Sequence, residues 1–121
     1  MASKKEIFEA LECAKSNGCN NIALLKCTST YPAPVNEINL NTIEDMRKEF
    51  RCEVGLSDHT LGIGVPLVAI TKGATIIEKH FTLSKKIKGP DTEFSSEPRE
   101  FKQLVDESKQ ISSCLGRVKY G

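Results

Sequence analysis

Three stretches of similar build decide the fold of this 121-residue chain. They read IALLKCTSTY at residues 22–31, VGLSDHT at 54–60 and IIEKHFT at 76–82. Each stretch begins with a short apolar run rich in strand-forming residues and ends in polar side chains. The apolar runs predict buried strands, and the polar ends predict where functional groups lie. We predict these strands at residues 22–27, 54–57 and 74–83.

Helical periodicity fills the segments between and around the strands. We predict helices at residues 3–17, 40–50, 65–73 and 96–115. The first of them should begin with a capping box formed by Ser3 and Glu6, and Pro66 suits the first turn of the third. The order α-β-α-β-α-β-α predicts a parallel sheet covered by helices. Three strands leave two open edges, so the predicted fold class is α/β, a partial (β/α)8 TIM barrel.

The overall composition excludes several classes of partner. With 17 basic and 16 acidic residues the net charge is +1, which gives no electrostatic reason to expect nucleic acid or an anionic membrane surface. The apolar runs are shorter than the roughly 20 residues of a transmembrane helix, and no secretory signal is readable. Five cysteines without a Cys-x-x-Cys spacing indicate reduced thiols, so we expect a cytoplasmic protein.

The only two histidines of the chain lie at the ends of two successive strands. Strand side chains alternate, so Ser57 shares a face with His59, and Glu78 shares a face with His80. If both faces point inward, two imidazoles converge and, with oxygen ligands and water, suit a divalent metal such as manganese, iron or zinc. Glu78 would then orient a ligand or move a proton. Taken singly, each histidine is more often a structural residue, so this hypothesis depends on the predicted fold.

Polar residues beside the histidines have plainer interpretations. Asp58 alternates away from His59, which predicts that it either supports the site residues from behind or organises the loop that follows. The Gly62-Ile63-Gly64 segment lacks a full phosphate-binding motif and predicts a turn. Asp91 follows a basic loop; it is either a surface charge or a carboxylate that binds substrate hydroxyls, and the spacing alone leaves both open.

Four motifs carry a resemblance to a known family. KCTSTYPAP at 26–34, GLSDHTLG at 55–62, IEKHFTL at 77–83 and GPD at 89–91 resemble the sialic acid synthase family, in order and through nearly the whole chain. Members of that family are (β/α)8 barrels that condense phosphoenolpyruvate with an N-acylated amino-sugar aldehyde. The resemblance implies that residues 1–121 form a single partial barrel domain, the last three β/α units of a larger synthase. From the same resemblance we expect these 121 residues not to include the family's C-terminal antifreeze-like (SAF) domain.

The resemblance also implies roles for individual residues. His59 and His80 match the two ligands of a divalent metal, Mn2+ or Mg2+, which activates the sugar aldehyde. Glu78 matches a position on the sugar side and is a candidate for proton transfer. These three residues are the implied catalytic set.

Four further residues match substrate-binding positions of the family. Ser29 and Ser57 correspond to positions near the phosphate and carboxylate of phosphoenolpyruvate. Tyr31 and Asp91 correspond to positions that contact the amino sugar. The family often has asparagine where Ser29 stands.

The choice of sugar depends on two residues after Asp91. Phe94 and Ser95 resemble pseudaminic acid synthases more than N-acetylneuraminate synthases, and a legionaminic acid synthase is a further alternative. Because the lysines expected to bind phosphoenolpyruvate lie in the missing strands, we expect the isolated chain to bind metal weakly and not to turn over. A different phosphoenolpyruvate-dependent aldol synthase is a second hypothesis. A non-catalytic half-barrel that assembles with another chain, or as a homodimer, is a third.

Overall fold

The computed structural model describes residues 2–121 and has the predicted alternation of helices and strands. Its elements, in chain order, are α1 (Lys4–Ser16), β1 (Ala23–Cys27), α2 (Asn41–Phe50), β2 (Glu53–Asp58), α3 (Gly64–Thr71), β3 (Ile77–Lys79) and α4 (Pro98–Leu115). A short 3-10 turn, Val35–Glu37, precedes α2. Within the described residues no helix has both the length and the apolar content to cross a membrane.

The three strands form one parallel sheet in the order β1-β2-β3. Cys27 pairs with Ser57, and Ser57 pairs with Glu78. The register therefore places these three residues in one row across the sheet. Along the chain, this row lies two residues before His59 and His80. Because all strands run the same way, their carboxyl ends meet at one edge.

The third strand is shorter than the predicted 74–83. The strand itself is Ile77–Lys79, and it ends where β2 ends, since Asp58 and Lys79 are the last pair. Before the strand, Thr75 N donates to the Val54 carbonyl oxygen and the Ile76 carbonyl oxygen accepts from Leu56 N. A little further on, Phe81 forms an isolated bridge with Ser96 of the segment that leads into α4. The carboxyl end of β3 is therefore set by the end of β2, and the apolar residues that follow β3 do not extend it.

One face of the sheet forms the hydrophobic core against the helices. Val54 and Leu56 of β2 are almost completely buried there, and they pack in one cluster with Leu11, Ile43 and Phe50 of the helices. This outer face follows the strand alternation, since every second side chain points toward the helical layer.

Gly55 lies between these core residues and points to the opposite, inner face. A Cβ atom at Gly55 would lie 2.4 Å from the carbonyl oxygen of Ile76 and 2.7 Å from Cδ2 of Leu25. Only glycine fits this close approach of neighbouring strands, so the inner face is narrow at this level.

The helix ends follow the predicted signals more closely than the helix faces do. Glu6 N donates to Ser3 Oγ at 3.3 Å and Ser3 N donates to Glu6 Oε2 at 2.7 Å, which confirms the capping box. The backbone N of Ser3, and then its hydroxyl, donate to the Glu6 carboxylate, and these two hydrogen bonds lower the pKa of Glu6. In α4, by contrast, the apolar side chains are only partly covered: Leu104 is buried, whereas Val105 is exposed.

Candidate active site at the carboxyl ends of the strands

The row across the sheet carries a hydrogen-bonded pair on its inner face. Ser57 Oγ donates to Glu78 Oε1 at 2.7 Å, from β2 to the neighbouring β3. Cys27 continues the row on β1. The Glu78 side chain is exposed on this face, so its carboxylate retains acceptor capacity for a ligand.

The two histidines converge directly above this row. The ring centroids of His59 and His80 lie 5.1 Å apart at an interplanar angle of 66°. Nδ1 of His59 lies 3.0 Å from the carbonyl oxygen of Thr28. Because a carbonyl only accepts, Nδ1 carries the proton in this tautomer and Nε2 keeps its lone pair for a ligand.

The backbone around each histidine is fixed by a neighbouring segment. Ala33 N donates to the carbonyl oxygen of His59 at 2.9 Å, which attaches the loop after β1 to the end of β2. Ser96 N donates to the carbonyl oxygen of His80 at 2.8 Å, which attaches the segment before α4 to the end of β3.

Two aromatic rings pack against the imidazoles. The ring of Tyr31 lies 4.4 Å from that of His59, measured between centroids, and 5.3 Å from that of Phe94. Phe94 in turn lies 5.0 Å from His80 and is buried. Tyr31 is 54% exposed, so it presents a polar hydroxyl and an aromatic face to whatever enters the site.

The remaining candidate residues lie at the rim of the same cluster. Oδ2 of Asp91 lies 3.5 Å from Nδ1 of His80, so the loop after β3 folds back over the strand end. Ser29 Oγ lies 3.6 Å from Cys27 Sγ, which lies 3.9 Å from Nδ1 of His59. The structure thus brings all seven candidates to one edge of the sheet: Ser29, Tyr31, Ser57, His59, Glu78, His80 and Asp91.

The donor set at this edge fits a divalent cation only in part. Within residues 2–121 no group of three or more His, Cys, Asp or Glu side chains is placed to hold a metal. His59 and His80 supply two imidazole nitrogens, and the other positions would be filled by substrate oxygens and water. Such a mixed nitrogen and oxygen set suits borderline and hard divalent ions.

A buried polar network on the outer face was missed by sequence analysis. Lys79 Nζ donates to Asp58 Oδ2 at 2.6 Å and to the carbonyl oxygen of Thr60 at 2.5 Å. Asp58 Oδ1 accepts from the backbone N of Thr60 at 3.1 Å and from its hydroxyl at 2.9 Å. The side chains of Lys79 and Asp58 are 1% and 0% exposed. The alternation that relates His59 to His80 also relates Asp58 to Lys79, and this signal could have identified the network.

A second buried lysine lies on the outer face of β1. Lys26 Nζ donates to Thr28 Oγ1 at 2.8 Å and to the carbonyl oxygen of Cys27 at 3.2 Å. Burial lowers the pKa of Lys26 from its usual value of 10.5. These bonds fix the backbone whose Thr28 carbonyl accepts from His59.

This parallel sheet has crossover helices on one face and polar residues at its carboxyl edge, which is the architecture of part of a (β/α)8 barrel. Its fold matches the crystal structure of the N-acetylneuraminic acid (sialic acid) synthetase from Leptospira borgpetersenii in complex with citrate. That match has a TM-score of 0.92 and 38% identity, and it covers 100% of this chain and 42% of the other. The chain belongs to the NeuB family, whose model matches residues 1–120.

Curated relatives show how much of a longer protein this chain resembles. It is 48% identical over 118 residues to the N,N'-diacetyllegionaminic acid synthase of Campylobacter jejuni, which covers 96% of this chain and 35% of that enzyme. It is 42% identical over 116 residues to the pseudaminic acid synthase of the same organism, with 96% and 34% covered. The chain therefore spans about a third of the length of the curated relatives it matches.

Proposed function

We propose that this chain carries the metal-binding and sugar-binding side of a phosphoenolpyruvate-dependent synthase. The reaction joins phosphoenolpyruvate and water to an N-acylated amino-sugar aldehyde and yields a nonulosonic acid and inorganic phosphate. The observation that carries the proposal is the convergence of His59 and His80, 5.1 Å apart, above the hydrogen-bonded pair of Ser57 and Glu78.

The two imidazoles would hold a divalent ion, Mn2+ or Mg2+. When bound, such an ion would act as a Lewis acid on the carbonyl oxygen of the sugar aldehyde. The Thr28 carbonyl supports this role, because its hydrogen bond keeps the Nε2 lone pair of His59 available.

Glu78 and Ser57 act on protons and anionic groups beside the imidazoles. The Ser57 hydroxyl donates to one oxygen of Glu78, and Glu78 would act as the general acid. In its carboxylic acid form it gives its proton to the aldehyde oxygen as carbon-carbon bond formation turns that oxygen into a hydroxyl, and it is left as the carboxylate. On the opposite side of the row, Ser29 offers a hydroxyl to the phosphate or carboxylate of phosphoenolpyruvate.

Tyr31 and Asp91 face the position of the sugar. The exposed ring of Tyr31 covers His59 and offers both a stacking face and a hydroxyl. The Asp91 carboxylate, 3.5 Å from His80, accepts hydrogen bonds from sugar hydroxyls.

The preferred sugar is the precursor of pseudaminic acid. Phe94 and Ser95 support this choice by their resemblance to pseudaminic acid synthases, and the buried ring of Phe94 packs on both His80 and Tyr31. The adjacent Ser95 donates from its hydroxyl to the carbonyl oxygen of Asp91 at 2.7 Å and fixes that loop. Legionaminic acid is the second candidate product; overall identity favours it, at 48% to a legionaminic acid synthase against 42% to a pseudaminic acid synthase. N-acetylneuraminate is the third.

A chimera tests the activity and the sugar together. The matching segment of the Campylobacter jejuni legionaminic acid synthase is replaced by this chain, and phosphate release from phosphoenolpyruvate and Mn2+ is measured with each hexose precursor. We expect turnover that shifts toward the pseudaminic precursor and is lost with His59→Ala or His80→Ala. A folded chimera that releases no phosphate with any precursor contradicts the proposal. The chain alone serves as a control, and we expect it to bind Mn2+ weakly and not to turn over.

A non-catalytic assembly is the second candidate function. Within residues 2–121 only β2 is paired on both sides, so β1 and β3 each present an open edge of backbone donors and acceptors. Sedimentation of the chain alone distinguishes the two candidates: a homodimer favours assembly through the edges, whereas a monodisperse monomer disfavours it. Five unpaired cysteines support a cytoplasmic location for either function.

A further inference from the structure

The residues that immediately precede the two histidines form a buried ion pair. Asp58 precedes His59 at the end of β2, and Lys79 precedes His80 at the end of β3. Since side chains alternate along a strand, the ion pair lies on the outer face and the imidazoles lie on the inner face. Asp58 and Lys79 are also the last register partners of the two strands.

This pair extends to the residue that follows His59. Thr60 is fully buried, its backbone N and hydroxyl both donate to Asp58, and its carbonyl oxygen accepts from Lys79. His59 is therefore bracketed by two residues whose polar atoms are bonded to one lysine from the neighbouring strand. A chain held at both flanking residues has little freedom to rotate the backbone of His59.

We propose that the network of Asp58, Thr60 and Lys79 is a positioning device that sets the separation and orientation of the His59 and His80 imidazoles. Its relevance to metal binding rests on the proposed function, whereas the geometric claim concerns the two rings alone. The network touches neither ring, so its three members are positioning residues.

Physical reasoning favours positioning over a contribution to stability. Two buried charges lose their hydration, and a well-packed apolar pair of similar volume is often as stable or more so. The network instead offers directional bonds across the two strand ends, and its polar atoms are satisfied within the protein. Fixed geometry is what a pair of ligands on different strands requires.

The main test variant removes the ion pair without leaving a buried charge. Asp58→Asn combined with Lys79→Met keeps the volume but loses the bridge to β3 and to the Thr60 carbonyl. Thr60→Val is the milder variant in case the double variant does not fold, because it removes only the hydroxyl donor to Asp58. Leu104→Ala is the matched control, since this buried leucine of α4 lies outside the site and its loss also lowers the stability of the fold.

The first measurement needs no metal. The chain has two histidines, so NMR of the imidazoles resolves each ring, and His80→Gln assigns them. We expect the wild type and Leu104→Ala to show a ring-to-ring contact and a single Nδ1–H tautomer for His59. The network variants should lose the contact and show mixed tautomers. Retention of both signals in a folded network variant would overturn the proposal.

The second measurement is Mn2+ binding by calorimetry on the same proteins. Loss of groups that support metal ligands usually weakens affinity by about 10- to 100-fold, and we expect this range for the double variant but no change for Leu104→Ala. Equal affinity in the double variant and the wild type would also overturn the proposal. If the wild type binds no Mn2+, the proposed metal role fails, and the NMR result alone decides the positioning.

Discussion

The two faces of the sheet differ in the exposure of their polar side chains at the end of β3. On the outer face, Asp58 and Lys79 are almost inaccessible and bonded within the protein. On the inner face, the residues on either side of Lys79 are accessible: the His80 side chain is 33% exposed and Glu78 is exposed, whereas Ser57 and His59 of the β2 end are buried. A strand end thus builds a rigid support and a reactive surface from adjacent residues. The difference separates residues that hold the site from residues that act in it.

Substitutions at two adjacent residues of β3 should show the largest difference between the two faces. Lys79→Met leaves the Asp58 carboxylate buried without its cation, and we expect it to lower the free energy of unfolding by about 3–5 kcal/mol. Glu78→Gln keeps the shape on the exposed inner face and should cost less than about 1 kcal/mol. Urea unfolding followed by circular dichroism measures both. If both variants lowered the free energy of unfolding by similar amounts, the difference between the buried outer face and the exposed inner face of β3 would be contradicted.

A second pair of substitutions tests the apolar part of the same contrast. Leu56 lies on the outer face and is 1% exposed, whereas Leu25 lies on the inner face and is only partly buried. We expect Leu56→Ala to cost about 2–5 kcal/mol, because the helices cannot collapse fully into the cavity.

Leu25→Ala is the matched variant and should cost clearly less, since part of its surface already contacts water. Thermal unfolding of the two proteins at one pH gives the comparison. A larger loss for Leu25→Ala would mean that the inner face is the real core of the chain.

The sequence predicted the site better than it predicted the limits of the strands. The placement of His59 and His80 at one edge followed from two regularities, the alternation of side chains and the common direction of parallel strands. The length of β3 did not follow, because it depends on where β2 ends at Asp58. The packing of Phe94 on Tyr31 could not be predicted from the sequence either, because both residues lie in irregular loops that have no periodic pattern.

Sequence analysis did not select Lys79 as a functional residue. It lies between two residues that were selected for their chemistry, and the alternation used for them places it beside Asp58 on the outer face. Sequence analysis treated Asp58 as an organiser of the following loop, and the bonds from Thr60 agree with that interpretation. The missing step was to ask which cation could satisfy a carboxylate on the buried side.

The smallest expected effect concerns the other buried lysine of the outer face and appears as a dependence on pH. Burial lowers the pKa of Lys26 in the folded chain below its usual value of 10.5. Between these two values the unfolded chain holds more protons than the folded chain, so the contribution of Lys26 to stability rises with pH in that window. We expect the stability of the wild type, relative to Lys26→Met, to increase from pH 7 toward pH 10.

The measurement is urea unfolding of both proteins at several pH values in this range. Taking the difference between them removes the titration of groups that the two proteins share. Lys26→Met also loses the hydrogen bond from Lys26 to Thr28. This loss shifts the difference in unfolding free energy between the two proteins, but it does not make that difference increase with pH. Lys5→Met, at a side chain that is 85% exposed, controls for the loss of a lysine charge as such. A difference that stays constant or falls as the pH rises would contradict the burial of a charged Lys26 on the outer face.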